Sequence, residues 1–370
     1  MNNKKFCVFC GAIPDKKNRE HILPQWLLKM TGNPKRVVNF GINYETSKTI
    51  RFDWSNFVVP SCEKCNTKYS DMEVRAKEYV ERILEKDALS SREYIDFMDW
   101  LDKVRIGVWI AYHLIQKNPT KIQPKFHINT RISTKDRMIA IYPAKADEKG
   151  LNTFGVESFI FHCQPSCFGL KINNILILNM SSDYLFASRC GFPYPQQCKL
   201  FLDGKNKDMM RLGEFKISHK IEHPLIEKNI IKPCIHLYQP IMQKADKKIY
   251  PSGFLGDYSL FDSFLAQHTI QPYPTGKGIL FFQHQNKVEP IFELDAPIHF
   301  QEIKKIEAKP VFQLISQVYE FQNYIFEKAN KKTKFMAKNN KLIQDNNERA
   351  RLFLEWNHKM INYFKEKIKS

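Results

Sequence analysis

Runs of alternating apolar and polar residues predict strands early in the chain, before any long helical pattern begins. The segments 37–43 and 49–54 alternate in this way and are separated by a polar turn, as in a β-hairpin. A short apolar segment at 57–59 is typical of a buried strand. The pattern therefore predicts paired strands upstream of the first long helix.

Two helices are predicted next, because the apolar residues then recur at helical spacing. Each helix begins with a capping box, in which a serine is followed three residues later by a glutamate. The first box is Ser70-x-x-Glu73 and the second is Ser90-x-x-Glu93. The second helix is predicted to be amphipathic and to run to about Gln116. Its predicted apolar face contains Ile95, Met98, Leu101, Val104, Val108, Tyr112 and Ile115.

The rest of the chain changes from β-prone runs to helical periodicity. Short β-prone runs separated by Gly, Pro, Asn and Asp predict a mainly antiparallel sheet. These runs cover 137–142, 158–162, 170–178 and 278–282. Helical periodicity returns near 311–330 and 341–368. The expected fold class is therefore α+β.

The same pattern predicts a division of the chain into four segments. They are a motif-bearing unit at 1–88, a helical connector at 89–124, a mainly β domain at 125–305 and a helical C-terminal region at 306–370. The aromatic residues of the last helices fit either an internal core or a contact with a second copy or a partner protein.

Composition indicates a folded protein outside the membrane. The 370 residues are 43% hydrophobic and 13% aromatic, which is typical of folded domains. No apolar run approaches the roughly 20 residues that cross a bilayer, and no apolar signal segment precedes the first cysteine. We therefore expect no membrane partner and a cytoplasmic location, where clustered cysteines favour metal binding over disulfides.

The charge balance favours nucleic acid as a partner. The formal net charge is +18 at pH 7, and the isoelectric point is near 9.3. Lysine exceeds arginine, and Asn and Ile are also abundant, so part of this excess fits the composition produced by an AT-rich genome. Attraction to phosphates requires basic groups clustered on one face. The charge alone therefore supports a nucleic-acid partner without establishing one.

Two C-x-x-C pairs predict a structural zinc site. They are Cys7-Val-Phe-Cys10 and Cys62-Glu-Lys-Cys65. The two thiolates of each pair can reach one tetrahedral Zn²⁺ from a tight turn. Four sulfurs complete a closed site, so these cysteines are expected to stabilise the fold and to carry no chemistry.

The segment between the cysteine pairs contains Glu20-His21, followed by Pro24, and the second pair runs directly into Asn66. In this order, the residues resemble the zinc-bearing, four-cysteine branch of the HNH (His-Me finger, ββα-metal) endonucleases. The resemblance covers about residues 1–75. It implies an N-terminal ββα-metal unit that hydrolyses phosphodiester bonds.

The resemblance implies a role for each residue of the motif. His21 would be the general base that takes a proton from the attacking water. Glu20 and Asn66 would ligate a catalytic Mg²⁺ or Mn²⁺ through oxygen atoms. The family more often carries Asp or His in place of Glu20. Two alternatives stay open: Asn66 also fits a helix N-cap, and Asn56 is an alternative upstream asparagine.

The sequence thus predicts a metal-dependent endonuclease acting on DNA, in a setting such as phage defence or restriction. A non-catalytic zinc ribbon that binds nucleic acid is the alternative from another class. A ribbon requires none of Glu20, His21, Pro24 and Asn66. An RNA-cleaving nuclease of the same fold is a third hypothesis, because a fold does not determine which substrate an enzyme cleaves.

Overall fold

The computed structural model describes most of the chain. The described residues are 6–14, 18–42, 46, 48–115, 128–144, 148–182, 195–203, 206–217, 232–239, 280–284, 287–302, 309–336 and 340–369. Helices and antiparallel sheets are both present, so the predicted α+β class is confirmed.

The N-terminal part combines two small sheets with two long helices. Its elements are β1 Asn18–His21, α1 Gln25–Met30, β2 Val37–Ile42, β3 Thr49–Asp53, β4 Val58–Ser61, α2 Glu63–Glu85, β5 Leu89–Ser90 and α3 Ser91–Ile115. Strands β2 and β3 form the predicted hairpin, and the predicted short strand is β4. Strand β4 pairs antiparallel with β1 and leads directly into α2. A strand pair followed by a helix is thus present around the motif.

Helix α2 begins earlier than its capping box predicted. Its N-cap is Cys62, whose Sγ accepts the backbone N–H of Cys65 at 3.4 Å. The predicted start at Ser70 is therefore wrong, because a cysteine of the second pair, the residue directly after β4, already caps the helix. This earlier start places Asn66 inside the helix and frees Glu73 for a tertiary contact.

Helix α3 begins as predicted. The backbone N–H of Ser90 donates to Glu93 Oε2 at 2.6 Å, and the N–H of Glu93 donates to Ser90 Oγ at 3.3 Å. Two backbone donors at the helix start are satisfied reciprocally, which is the geometry of a capping box. The box succeeds here because both of its partners are local.

The middle of the chain builds one large antiparallel sheet. Its elements are β6 Asp136–Pro143, β7 Leu151–Phe154, α4 Phe159–Cys163, β8 Cys167–Ile172, β9 Ile175–Ser182, β10 Pro195–Asp203, β11 Asn206–Ile217, β12 Ile235–Gln239, β13 Leu280–His284, β14 Lys287–Ile291 and β15 Pro297–Ile298. Among the described residues, the large sheet has seven strands in the order β14-β13-β12-β6-β9-β8-β7. Strands β10 and β11 form a separate hairpin, and β15 pairs with β5.

Two of the predicted β runs differ in the structure. The run 158–162 forms helix α4, because Ser158 Oγ accepts the backbone N–H of Phe161 at 2.9 Å and caps it. The run 170–178 is divided between β8 and β9 by a tight turn. Asn173 occupies the left-handed region in that turn, at φ +49°, which asparagine tolerates better than most residues.

The C-terminal helices are α5 Pro310–Met336 and α6 Asn340–Lys369. They cover one face of the large sheet, where Val318, Tyr319 and Ile361 are buried with side chains from the strands. The aromatic residues of this region therefore lie in a core, with Trp356 packing against Tyr319. The predicted contact with a second copy or a partner stays a prediction.

Helix α3 lies on the other face of the sheet and also contacts the N-terminal part. Its buried residues belong to one hydrophobic core that runs from Cys7 to the inward side chains of the sheet. The sequence predicted an amphipathic helix, but α3 is buried on nearly every side from Tyr94 to His113. The predicted boundaries at 88 and 124 therefore flank a helix that shares its core with both neighbours.

Charged residues of α3 form an ion network with the sheet. Arg137 of β6 donates from Nη1 to Asp99 at 2.6 Å and to Asp102 at 3.1 Å, and its Nε donates to Gln239 at 2.7 Å. Arg105 donates to Asp102 at 2.7 Å. Buried charges are tolerated only when paired in this way. The network therefore determines how α3 sits on the sheet.

In the part of the chain that the structure describes, no helix is both long and apolar enough to span a bilayer.

Replacement of Arg137 by Met is expected to lower the free energy of unfolding by about 3–5 kcal/mol, because Asp99 and Asp102 lose a buried counter-charge. Urea denaturation followed by tryptophan fluorescence measures the change. Arg351→Met breaks an exposed pair with Glu355 and is expected to change the free energy by less than about 1 kcal/mol. Equal effects of the two substitutions would contradict this interpretation of the network.

Candidate functional site

The four cysteines converge as the sequence predicted. The Sγ atoms of Cys7, Cys10, Cys62 and Cys65 all lie within 4.8 Å of one another. The Sγ atoms of Cys10 and Cys62 are 3.8 Å apart. Tetrahedral zinc with Zn–S bonds of about 2.3 Å separates its sulfurs by roughly 3.8 Å. Both the donor set and the spacing therefore fit a bound metal ion such as Zn²⁺.

Backbone hydrogen bonds shape the first cysteine turn and attach it to β4. The N–H of Cys7 donates to Ala12 O at 2.7 Å, and the N–H of Gly11 donates to Cys7 O at 2.8 Å. Gly11 has φ +74°, which glycine adopts without steric cost. The N–H of Val8 donates to Pro60 O at 3.0 Å. The two pairs, more than 50 residues apart, are thereby linked through the backbone as well as through the cluster.

The environment of the second pair favours a thiolate at its first cysteine. The backbone N–H of Cys65 donates to Cys62 Sγ, and this lowers the pKa of Cys62 because the bond favours the charged form. Burial raises the pKa of Cys65. A bound Zn²⁺ would supply the positive charge that a buried thiolate requires.

His21 is the last residue of β1 and lies opposite Val58 of β4. Its side chain is half-buried, and this burial lowers the pKa of the imidazole. A neutral imidazole at pH 7 can accept a proton. The Nε2 of Gln25 lies 2.9 Å from His21 Nε2 and 3.3 Å from His21 Nδ1, so it restrains the ring.

The H-x-x-P segment turns the chain from β1 into α1. Pro24 is the N-cap residue of α1, and its carbonyl accepts the N–H groups of Leu27 and Leu28 at 3.0 and 3.1 Å. This turn places the side chain of Gln25, the first residue of the helix, next to the His21 ring. Sequence reasoning missed Gln25, although its spacing of four residues from His21 was visible.

Glu20 faces the interior, away from His21, because neighbouring residues of a strand point to opposite faces. Its carboxylate accepts a hydrogen bond from Lys103 Nζ at 2.7 Å. The same ammonium also donates to Glu73 Oε1 of α2. Trp26 and Trp100 each donate from Nε1 to Glu73 Oε2 at 3.2 Å. We call Glu20, Glu73 and Lys103 the Lys103 cluster.

Lys103 stays charged in this buried position. Burial by itself lowers the pKa of the ammonium, but attraction to Glu73 and Glu20 outweighs burial, so the pKa lies above its usual value. The Nζ also lies 5.7 Å from the ring centre of Phe9 and 6.0 Å from that of Tyr69. Sequence reasoning missed Lys103, whose signal was a lone lysine within a long, mostly apolar helix.

Asn66 lies at the end of the first turn of α2. Its backbone N–H donates to Cys62 O at 3.0 Å. Because Cys62 is the N-cap, the alternative role of Asn66 as the cap does not apply. Its half-buried carboxamide has no hydrogen-bond partner among the described residues, so its oxygen can serve as a ligand. Asn56, the other candidate, donates to Asp53 at 2.5 Å in a short 3-10 turn.

The residues predicted to hold a catalytic divalent metal fit only in part. Asn66 offers an oxygen donor, as Mg²⁺ and Mn²⁺ prefer. The Glu20 carboxylate instead contacts the buried ammonium of Lys103, which lies where a metal ion would have to bind. Ligation of a metal by Glu20 stays a prediction, and the arrangement of the described residues does not favour it.

Comparison with protein-family models, with curated proteins and with solved structures finds no match for this chain.

Replacement of Cys62 by Ser is expected to remove zinc from the protein and to destabilise the N-terminal part, since a closed site needs all four sulfurs. Metal analysis of protein purified without chelator should find about one zinc per chain in the wild type. Cys163→Ser, at an exposed cysteine outside the cluster, should keep that zinc. Wild-type protein that folds without any bound zinc would contradict the assignment.

Proposed function

We propose that this protein is an endonuclease that hydrolyses phosphodiester bonds in DNA, with His21 as the general base. The observation that supports the proposal most is the position of His21. A half-buried imidazole with a lowered pKa ends a strand that is paired with the strand leading into Asn66. The four-cysteine cluster brings the Cys7–Cys10 turn to the start of α2, the helix that carries Asn66.

The proposed chemistry needs a neutral imidazole near the scissile phosphate. His21 takes a proton from water as the water attacks phosphorus, the P–O3′ bond breaks, and the departing 3′ oxygen takes up a proton from solvent water. The products then carry 5′-phosphate and 3′-hydroxyl ends. Gln25 contacts the ring nitrogens and acts as a positioning residue that limits rotation of His21.

A Mg²⁺ or Mn²⁺ is part of the proposal, with the carboxamide oxygen of Asn66 as the proposed protein ligand. Such an ion, when bound, stabilises negative charge on the phosphate oxygens and on the departing oxygen. The carboxamide of Asn66 supports this role because it is not engaged with other described side chains.

A nucleic-acid substrate is proposed because the chain carries a net charge of +18 at pH 7 and phosphate attraction dominates nucleic-acid affinity. DNA is proposed over RNA on the HNH resemblance alone. We place the activity in the cytoplasm, where clustered thiols stay reduced. Restriction or phage defence is the proposed setting, since the large sheet and the C-terminal helices exceed what cleavage alone requires.

One observation favours a second candidate function. The Glu20 carboxylate is held by Lys103, so the metal site implied by the HNH resemblance is incomplete as arranged. A zinc-stabilised module that binds nucleic acid without cutting it needs no such metal. Plasmid DNA, linear DNA and RNA, each with and without Mg²⁺ or Mn²⁺, distinguish cleavage from binding and DNA from RNA.

Replacement of His21 by Ala is expected to reduce cleavage by at least about 10²-fold, because the attacking water loses its proton acceptor. Zinc content, thermal stability and DNA binding should be retained, as measured by metal analysis, melting and fluorescence anisotropy. His284→Ala, at an exposed histidine of β13, should cut at the wild-type rate. Cleavage by H21A at the wild-type rate would overturn the assignment of His21 as the general base.

Replacement of Asn66 by Ala is expected to raise the Mn²⁺ concentration that gives half-maximal cleavage, because a lost ligand lowers metal affinity. Excess Mn²⁺ should restore part of the rate, whereas it should not rescue H21A. Thr67→Ala, at the exposed neighbouring position, should leave the metal dependence unchanged. A metal response of N66A identical to that of the wild type would remove Asn66 from the proposal.

A further inference from the structure

The side chain of Lys103 runs from the middle of α3 into the space between β1 and α2. Its Nζ lies 2.7 Å from Glu20 Oε1 and also contacts Glu73 Oε1. The Lys103 side chain is 1% exposed, whereas those of Glu20 and Glu73 are 11% and 15% exposed. A charge this deeply buried requires a partner of opposite sign. The three side chains therefore form one buried charge cluster.

The two carboxylates are oriented toward a common cation. The second oxygen of Glu73 accepts hydrogen bonds from Trp26 and Trp100, both at 3.2 Å, which directs its first oxygen toward Lys103. Glu20 approaches the same point from strand β1. Carboxylate oxygens that meet at one point from separate elements are also how proteins bind divalent cations. In this chain an ammonium occupies that point.

We propose that the Lys103 ammonium takes the position that a divalent cation would take at Glu20. Glu20 and Glu73 then form a lysine-occupied cation site, and neither ligates a metal in the native protein. The inference relies on the proposed function only for the role of the neighbouring His21. Lys103 is thus a positioning residue that ties strand β1, which ends at His21, to α2 and α3.

Removal of the ammonium should turn the cluster into a metal site. Lys103→Ala leaves two buried carboxylates without a counter-charge and opens the space of three methylenes and an ammonium group. Mn²⁺ binds carboxylate oxygens and keeps bound waters, which that space can hold. The cluster has a net charge of −1 with Lys103 and −2 without it, so the attraction for a divalent ion rises.

The first test compares Mn²⁺ binding to the zinc-loaded full-length wild type and to Glu20→Gln, by electron paramagnetic resonance. We expect E20Q to bind Mn²⁺ with an affinity within about twofold of that of the wild type. A tenfold or greater loss in folded E20Q would overturn the inference, because Glu20 would then ligate the metal beside Lys103. Wild-type protein that binds no Mn²⁺ agrees with the inference and instead removes the metal from the proposed function.

The second test measures thermal stability of Lys103→Ala with and without Mn²⁺. We expect a lower Tm than the wild type, and a rise of several degrees with Mn²⁺ that K103A/E73Q lacks. Lys77→Ala, which removes an exposed lysine of α2, should match the wild type in both conditions. A folded K103A with no Mn²⁺ response would overturn the inference. If K103A does not fold, the comparison of wild type with E20Q decides.

Discussion

Helix α3 is buried on nearly every side, and this burial governs how the other parts of the protein pack around it. The helix contacts the cysteine-bearing part on one side and the large sheet on the other, within one hydrophobic core. Its charged residues must therefore be paired, since unpaired buried charges cost more than a fold can offset. Asp102 forms ion pairs with Arg105 and with Arg137 of the sheet. Lys103 forms ion pairs with Glu20 of β1 and Glu73 of α2. One helix thus orients both the candidate site and the sheet.

The candidate site depends on two kinds of long-range contact. The four cysteines join the first turn of the chain to the start of α2, as a closed metal site does. A second link runs through the short 3-10 turn after α3, where Asn129 accepts the hydroxyl of Tyr69 at 2.5 Å. His21 therefore lies in a unit that the four-cysteine cluster and core packing hold together.

Short sequence motifs predicted a helix start correctly where the residues that stabilise it lie close together in the chain. The capping box at Ser90 and Glu93 formed because both residues lie within one turn of the helix start. The box at Ser70 and Glu73 did not form, because Cys62 had already begun the helix. Glu73 instead became an acceptor for Lys103. A β-prone composition at 158–162 was likewise outweighed by a serine cap.

The sequence was sufficient to predict the α+β class, the long helices and the convergence of the four cysteines, because periodicity and ligand spacing are properties of short segments. It also singled out His21 and Asn66. The partner of Glu20 could not be predicted in this way, since Lys103 lies 83 residues away and reaches Glu20 through the packing of α3. Which residues neutralise a buried charge depends on how helices and strands pack, and the spacing of residues within a short segment does not predict that packing.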